Sequence, residues 1–319
     1  MHKAFGLILA AILGLAFSGA VQAANDNFRV TLLGTGSPDP DPNRFSASTL
    51  IEAGDQKLLI DVGRGATIRL YQLHVPLSKI DVVFFTHYHS DHTIGLPDLL
   101  LTGWLPPPSY AHRTAPLHVI GPVGAKNLLS NLAVAYDADI KGREEDQHLP
   151  PEGVAATVEE FTKDGVVYDK DGVRVTAFEV DHGIKPAYGY RIDYEGRSVL
   201  LSGDTRFNEN VIKYGEGVDL LIHEVFVASA ELLKLPAFQK ILTIHTTPSQ
   251  AGTVFARTHP KLAAYTHIAA LGTPTAPAPS IEDIVMETRQ SYQGPLIVGA
   301  DLMTFDIGAG GVAVYRAAP

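Results

Sequence analysis

The seven residues Thr86-His87-Tyr88-His89-Ser90-Asp91-His92 restrict what this chain can fold into more than any other segment. Three imidazoles and a carboxylate follow directly on the apolar or β-branched run Val82 to Thr86. Residues i and i+2 of a strand share a face, so His87 and His89 at a strand end can present two nitrogens to one ion. Asp91 and His92, just beyond, can reach a second. An HxH pair alone carries little weight, because surface histidines often fall at that spacing. The full His-x-His-x-Asp-His cluster is much rarer and predicts a metal site built at the end of a strand.

Two divalent ions need further ligands, and the chain offers them at other strand ends. His182 follows the apolar-rich run Val173 to Val180. Asp204 follows Ser198 to Ser202 within Ser-Gly-Asp-Thr, and His267 follows Leu262 to Thr266. Singly, each has an ordinary reading as a loop histidine or a turn-forming aspartate. Their order along the chain makes a common site the better account.

That ordered set resembles the metallo-β-lactamase fold superfamily, and Leu-Leu-Ile-Asp61-Val-Gly63 resembles its upstream aspartate motif. His223-Glu224-Val225-Phe226, His245-Thr246-Thr247-Pro248, the opening Gly34-Thr35-Gly36-Ser37 and Asn43-Arg44 resemble motifs of its ribonuclease Z-like branch, which also holds secreted aryl-sulfate hydrolases. The resemblance spans most of the chain beyond residue 23. It implies an α/β fold, a four-layer αββα metallo-β-lactamase sandwich, with His87, His89 and His182 on one zinc, Asp91, His92 and His267 on the other, and Asp204 bridging. Manganese or iron are the alternative metals, and a homodimer is implied by resemblance alone.

The chemistry expected of such a site is hydrolysis. Two metals that share a carboxylate can share a water and lower its pKa towards neutrality, making a nucleophile for phosphorus, sulfur or carbonyl carbon. Asp91 can orient that nucleophile and act as base. His245, in a strand-to-helix turn, is the candidate proton donor to the leaving oxygen, with Glu224 orienting it and keeping it protonated. Thr246 or Thr247 as N-cap and Pro248 at the first helical position also give that turn a structural reason. For His223, a buried hydrogen-bonding role and a catalytic one are both open.

Residues 1–23 read as a secretory signal: Met1-His2-Lys3, an apolar run from Ala4 to Phe17, then the Ala-x-Ala-type site ending at Ala23. A hydrolase domain over residues 24–319, periplasmic or secreted and without a membrane span, is the expectation. The chain contains no cysteine, so no disulfide staples it.

The formal charge is −10 and the basic residues are scattered, which reads against a polyanion held through its backbone. Ribonuclease Z proper carries a long arm between the ligands matching His182 and Asp204. Here 22 positions separate them, enough only for a hairpin. The expectation is therefore an exported dinuclear zinc hydrolase of small anionic sulfate or phosphate esters, arylsulfatase-like by the family resemblance, with nucleic acid unlikely as a partner. The alternatives are a ribonuclease Z-like phosphodiesterase, a lactone or β-lactam hydrolase on the same scaffold, and a metal-binding protein without activity. Trp104 to Tyr110 reads as a pocket wall or a surface polyproline segment; Asp137 to Gly153 and Gly272 to Pro279 read as mobile rims or exposed connections.

Overall fold

A computed structural model describes residues 27–106 and 112–316; the expected signal and part of the Trp104 to Tyr110 segment lie outside the described residues. Six strands come first: β1 (Phe28–Gly34), β2 (Ser48–Ala53), β3 (Gln56–Ile60), β4 (Val82–Phe84), β5 (Leu117–Pro122) and β6 (Ala156–Phe161). Seven more follow: β7 (Gly165–Lys170), β8 (Val173–Glu179), β9 (Tyr188–Tyr194), β10 (Arg197–Leu201), β11 (Leu220–Ala228), β12 (Leu262–Leu271) and β13 (Leu296–Val298). The chain then returns to the first sheet through β14 (Met303–Gly308) and β15 (Gly311–Arg316). The sheet orders are β15-β14-β1-β2-β3-β4-β5-β6 and β13-β12-β11-β10-β9-β8-β7.

The strands near the middle of each sheet are apolar at consecutive positions because both faces are covered. Val82 and Phe84 point into the core between the sheets, whereas Val83 and Phe85 pack outwards. In β10 and β11, Leu201 and Ile222 face inwards while Leu200 and Leu221 face outwards. The outer faces are covered by helices. Residues of α1 (Ala66–Gln72), α3 (Leu96–Thr102) and α4 (Ala125–Ala135) complete the outer cluster of the first sheet. Those of α6 (Glu209–Gly215), α8 (Pro248–Thr258) and α9 (Ile281–Thr288) complete that of the second. The result is the expected αββα sandwich.

Several boundaries differ from the sequence reading. The polar stretch from Asp137 folds as α5 (Asp137–Gln147), with no buried residue, and carries the i,i+4 pairs Asp137–Lys141 at 2.8 Å and Asp139–Arg143 at 2.9 Å. Trp104 is neither pocket wall nor surface: it is fully buried, and its Nε1 donates to the Pro150 carbonyl at 2.8 Å. Residues 272–279 do stay a connection, and Ser280 caps α9 through a capping box with Asp283. Among the described residues no helix is long and apolar enough to cross a membrane.

Candidate active site

The parallel pairings β3–β4, β10–β11 and β11–β12 bring the ends of these strands to one edge of the sandwich. Asp61 directly follows β3, and His87 lies three residues beyond β4. His89 precedes the short helix α2 (Ser90–Thr93), whose first turn holds Asp91 and His92. His182 and Asp204 each lie three residues beyond the ends of β8 and β10. His267 departs from expectation, because β12 does not stop before it. The strand runs on to Leu271, and His267 is the extra residue of a β-bulge: Glu224 pairs with Thr266 and Val225 with Ile268. Its φ of 42° is left-handed. A bulge is a common device for re-aiming one side chain out of a ladder.

Side chains of all seven expected ligands converge. His89 Nδ1 lies 3.1 Å from Nε2 of both His87 and His182. On the other side, Asp91 Oδ2 lies 3.1 Å from His267 Nε2 and 3.6 Å from His92 Nε2. Between the triads sits one oxygen, Asp204 Oδ2, at 3.2 Å from His267, 3.4 Å from His92, 3.8 Å from His182 and 3.9 Å from His87. Zinc with nitrogen ligands at about 2.0–2.1 Å sets neighbouring ligand atoms about 3.3 Å apart. The spacing within each triad fits such an ion, and the reach of Asp204 to both fits a shared ligand.

The hydrogen bonds behind the imidazoles fix which nitrogen is bare. His182 Nδ1 donates to the Ile244 carbonyl at 2.9 Å and His92 Nδ1 to Asp61 Oδ2 at 2.7 Å. Thr86 Oγ1 gives its proton to Asp61 Oδ2 at 2.8 Å, so it accepts from His87 Nδ1 at 3.0 Å. With Nδ1 so engaged, Nε2 of each ring faces the ion sites and is the atom a metal would take, and His92 Nε2 is buried without a hydrogen-bond partner. Burial and the neighbouring His92 hold His87 well below its usual pKa, while burial and His182 lower His89, which keeps both in the metal-binding form. Burial would raise Asp204, but His267 and His92 hold its carboxyl well below the usual carboxylate range.

Asp61 was read as a family motif, and its work becomes visible only here. It also accepts from the Thr86 amide at 2.8 Å, so one carboxylate sets His92 directly and His87 through Thr86. Its φ is 59°, and a Cβ on nearby Gly63 would stand 2.5 Å from the Asp91 carbonyl oxygen, so this crossing of chains needs glycine. The side-chain amide of an asparagine in its place would set an N–H against either the Thr86 amide or the Thr86 hydroxyl and His92. Asp61→Asn should therefore weaken metal binding by roughly 10- to 100-fold, read by competition with a chelator of known affinity. Unchanged affinity would remove Asp61 from this role.

His245 stands over the ligands, its ring 4.8 Å from His182 and stacked 5.8 Å from His267 at 14°. Its Nδ1 meets Glu224 Oε1 at 3.0 Å, and the same oxygen accepts from the amides of Thr205 and Thr246 at 3.2 and 3.0 Å. Burial alone would lower His245, yet the Glu224 carboxylate pushes it up to about 9. Thr247, not Thr246, is the N-cap of α8, with Pro248 in its first turn. His223 lies apart from the ligands: its Nδ1 donates to the Glu224 carbonyl at 2.8 Å and its ring meets Phe255 edge-on at 6.1 Å.

A cavity of about 410 Å³ opens onto this edge, lined by His89, Asp91, Asp204, His245 and His267 together with apolar residues of β11, β12 and α7 (Pro236–Leu242). Trp104 is not among its lining residues. The apolar part of this lining escaped the sequence reading, because α7 carries no signature linking it to the metal motifs.

A convergent set of histidines and aspartates that can hold metal, on the edge of an αββα sandwich, marks a metal-dependent hydrolase of the metallo-β-lactamase fold, in its ribonuclease Z-like branch. Within it the chain belongs to the family described as anti-Pycsar protein Apyc1, which matches residues 28–251. A ribonuclease Z of Mycobacterium avium (strain 104) is 39% identical over 236 residues, covering 72% of this chain and 81% of that protein. Among solved structures, the metallo-β-lactamase fold protein YhfI from Bacillus subtilis superposes with a TM-score of 0.68 at 19% identity, over 88% of this chain and 99% of that one. Zinc-bound PqqB from Methylobacterium extorquens gives 0.60 at 15%, over 86% and 99%.

These relatives overturn two expectations, the arylsulfatase-like activity and the reading of nucleic acid as an unlikely partner. A ribonuclease at 39% identity outweighs the inference from an acidic surface. Net charge averages over the whole molecule, whereas a phosphate at this site meets His245 and whatever metal the ligands hold. The hairpin β9–β10 does fill the interval between His182 and Asp204, but arm length does not determine which bond is cleaved.

Proposed function

We propose that this chain is a dinuclear metal-dependent phosphodiesterase of the ribonuclease Z type, cleaving a phosphodiester in RNA or a nucleotide. The observation that carries this reading is Asp204 Oδ2, within 3.9 Å of Nε2 atoms from both ligand triads. The similarity to the Mycobacterium avium ribonuclease Z supports the bond type. His87, His89 and His182 would hold one ion, Asp91, His92 and His267 the other, and Asp204 both. The nitrogen-rich set and the zinc-bound neighbour favour zinc, with manganese or iron as alternatives. When bound, two such ions supply an acidified water and neutralise charge on the phosphoryl oxygens.

The chain's own groups do the rest. Asp91 contributes Oδ2 to the ligand cluster, leaving Oδ1 to orient the attacking water and take its proton. His245, held protonated by Glu224 on Nδ1, offers Nε2–H to the departing ribose oxygen, a poor leaving group without a proton. The signal reading of residues 1–23 supports export.

The test is a panel on the metal-loaded protein: 3′-extended precursor tRNA, bis(4-nitrophenyl) phosphate, 4-nitrophenyl phosphate, an acyl-homoserine lactone and a chromogenic cephalosporin. Chelator-sensitive turnover of a diester above all others is expected. A lactone or cephalosporin preference would overturn the reading.

A further inference from the structure

Between β11 and His245 the chain makes an excursion that contains the 3-10 turn Leu232–Lys234 and α7. Leu232 anchors it against Phe226, Ala228 and Ala269. None of the residues of α7 is buried, and its apolar side chains Phe238 and Ile241 are left half-covered. Both face the 410 Å³ cavity, where with Phe226, Ile244, Ala269 and Leu271 they make one continuous apolar side above the ligands. Ser37, Pro38 and Asp39 line the cavity as well, and among the described residues neither lysine nor arginine does.

The volume is in the range of small-molecule sites of about 300–1,000 Å³. A phosphoryl group drawn to the ligand end leaves space for one ring-sized substituent. That substituent meets hydrocarbon and aromatic rings, and no cation, along the α7 side. We propose that this wall is the specificity surface for an uncharged aromatic group carried on the phosphate, a nucleobase or aryl ring, with Phe238 and Ile241 as the residues that select it. The proposal deepens the phosphodiesterase reading and rests on it. Half-exposed Phe and Ile beside a polar site gain most when a flat apolar partner removes them from water, and aromatic pairs add a geometric preference.

Calorimetric binding of two phosphonates to the metal-loaded protein separates the wall from the metals. Phenylphosphonate and methylphosphonate share the anionic head and differ only in the group offered to the wall. Wild type should bind the phenyl compound at least about tenfold more tightly, within the range that apolar pockets achieve for small size differences. Phe238→Ala and, separately, Ile241→Ser should bring the ratio close to unity, with methylphosphonate affinity and bound metal unchanged. KM for bis(4-nitrophenyl) phosphate should rise while kcat holds. No preference in wild type, or a preference that survives both substitutions, would overturn the proposal. A wild type that hydrolyses no phosphodiester but keeps the phenyl preference would sink the activity reading and leave the wall standing.

Discussion

Asp204→Ala is expected to abolish diester turnover and leave fewer than two ions per chain. Asp204 Oδ2 lies between the two triads, 3.2 to 3.4 Å from the His267 and His92 nitrogens and 3.8 to 3.9 Å from those of His182 and His87. Without it each ion site keeps three ligands but loses the common anion, and two cations must then be held close together with Asp91 as the one carboxylate among the remaining ligands. The loss should exceed the roughly 10- to 100-fold typical when a hydrogen-bond partner of a ligand is removed. Asp204→Asn keeps the shape and drops the charge, so it separates electrostatics from packing and should fail in the same way. Elemental analysis after dialysis, alongside circular dichroism to confirm the fold, reads the result. Two retained ions with near-normal turnover would mean that Asp204 bridges nothing.

The second large effect concerns the leaving group. His245→Ala should slow hydrolysis of an alkyl or ribose diester by roughly 10²- to 10⁴-fold, the range for loss of a positioned general acid. A 4-nitrophenyl diester expels a stable phenolate that needs no proton, so its rate should fall by no more than about tenfold. The asymmetry between substrates is the informative quantity. Equal losses on both would show that His245 positions or packs, as its stacking on Phe226 at 5.7 Å and His267 at 5.8 Å would also allow. Glu224→Gln should give a weaker version of the same asymmetry, with an added stability cost because Glu224 Oε1 also accepts from the Thr205 and Thr246 amides.

The residues that converge at this edge were legible in the chain because their signals are local. His87, His89, Asp91 and His92 lie within six residues, and His182, Asp204 and His267 each follow or sit in an apolar run that reads as a covered strand. What depends on distant pairing was not legible. The bulge at His267 exists only because β12 continues beside β11 beyond it. The work of Asp61 depends on Thr86 and His92, 25 and 31 residues away. The apolar wall comes from α7, whose sequence reads like any short surface helix until it is seen against Phe226 and the cavity. The Asp137 helix has no buried residue, so no apolar period announced it. The substrate was misread for a related reason: net charge and arm length describe the periphery, and the bond cleaved is decided at the ligands.

The most direct measurement is a zinc titration of the metal-free protein while bis(4-nitrophenyl) phosphate hydrolysis is followed. The account predicts negligible turnover without metal, growth through the second equivalent, and a plateau there. Two equivalents bound with no diester turnover, or a plateau at one, would contradict it.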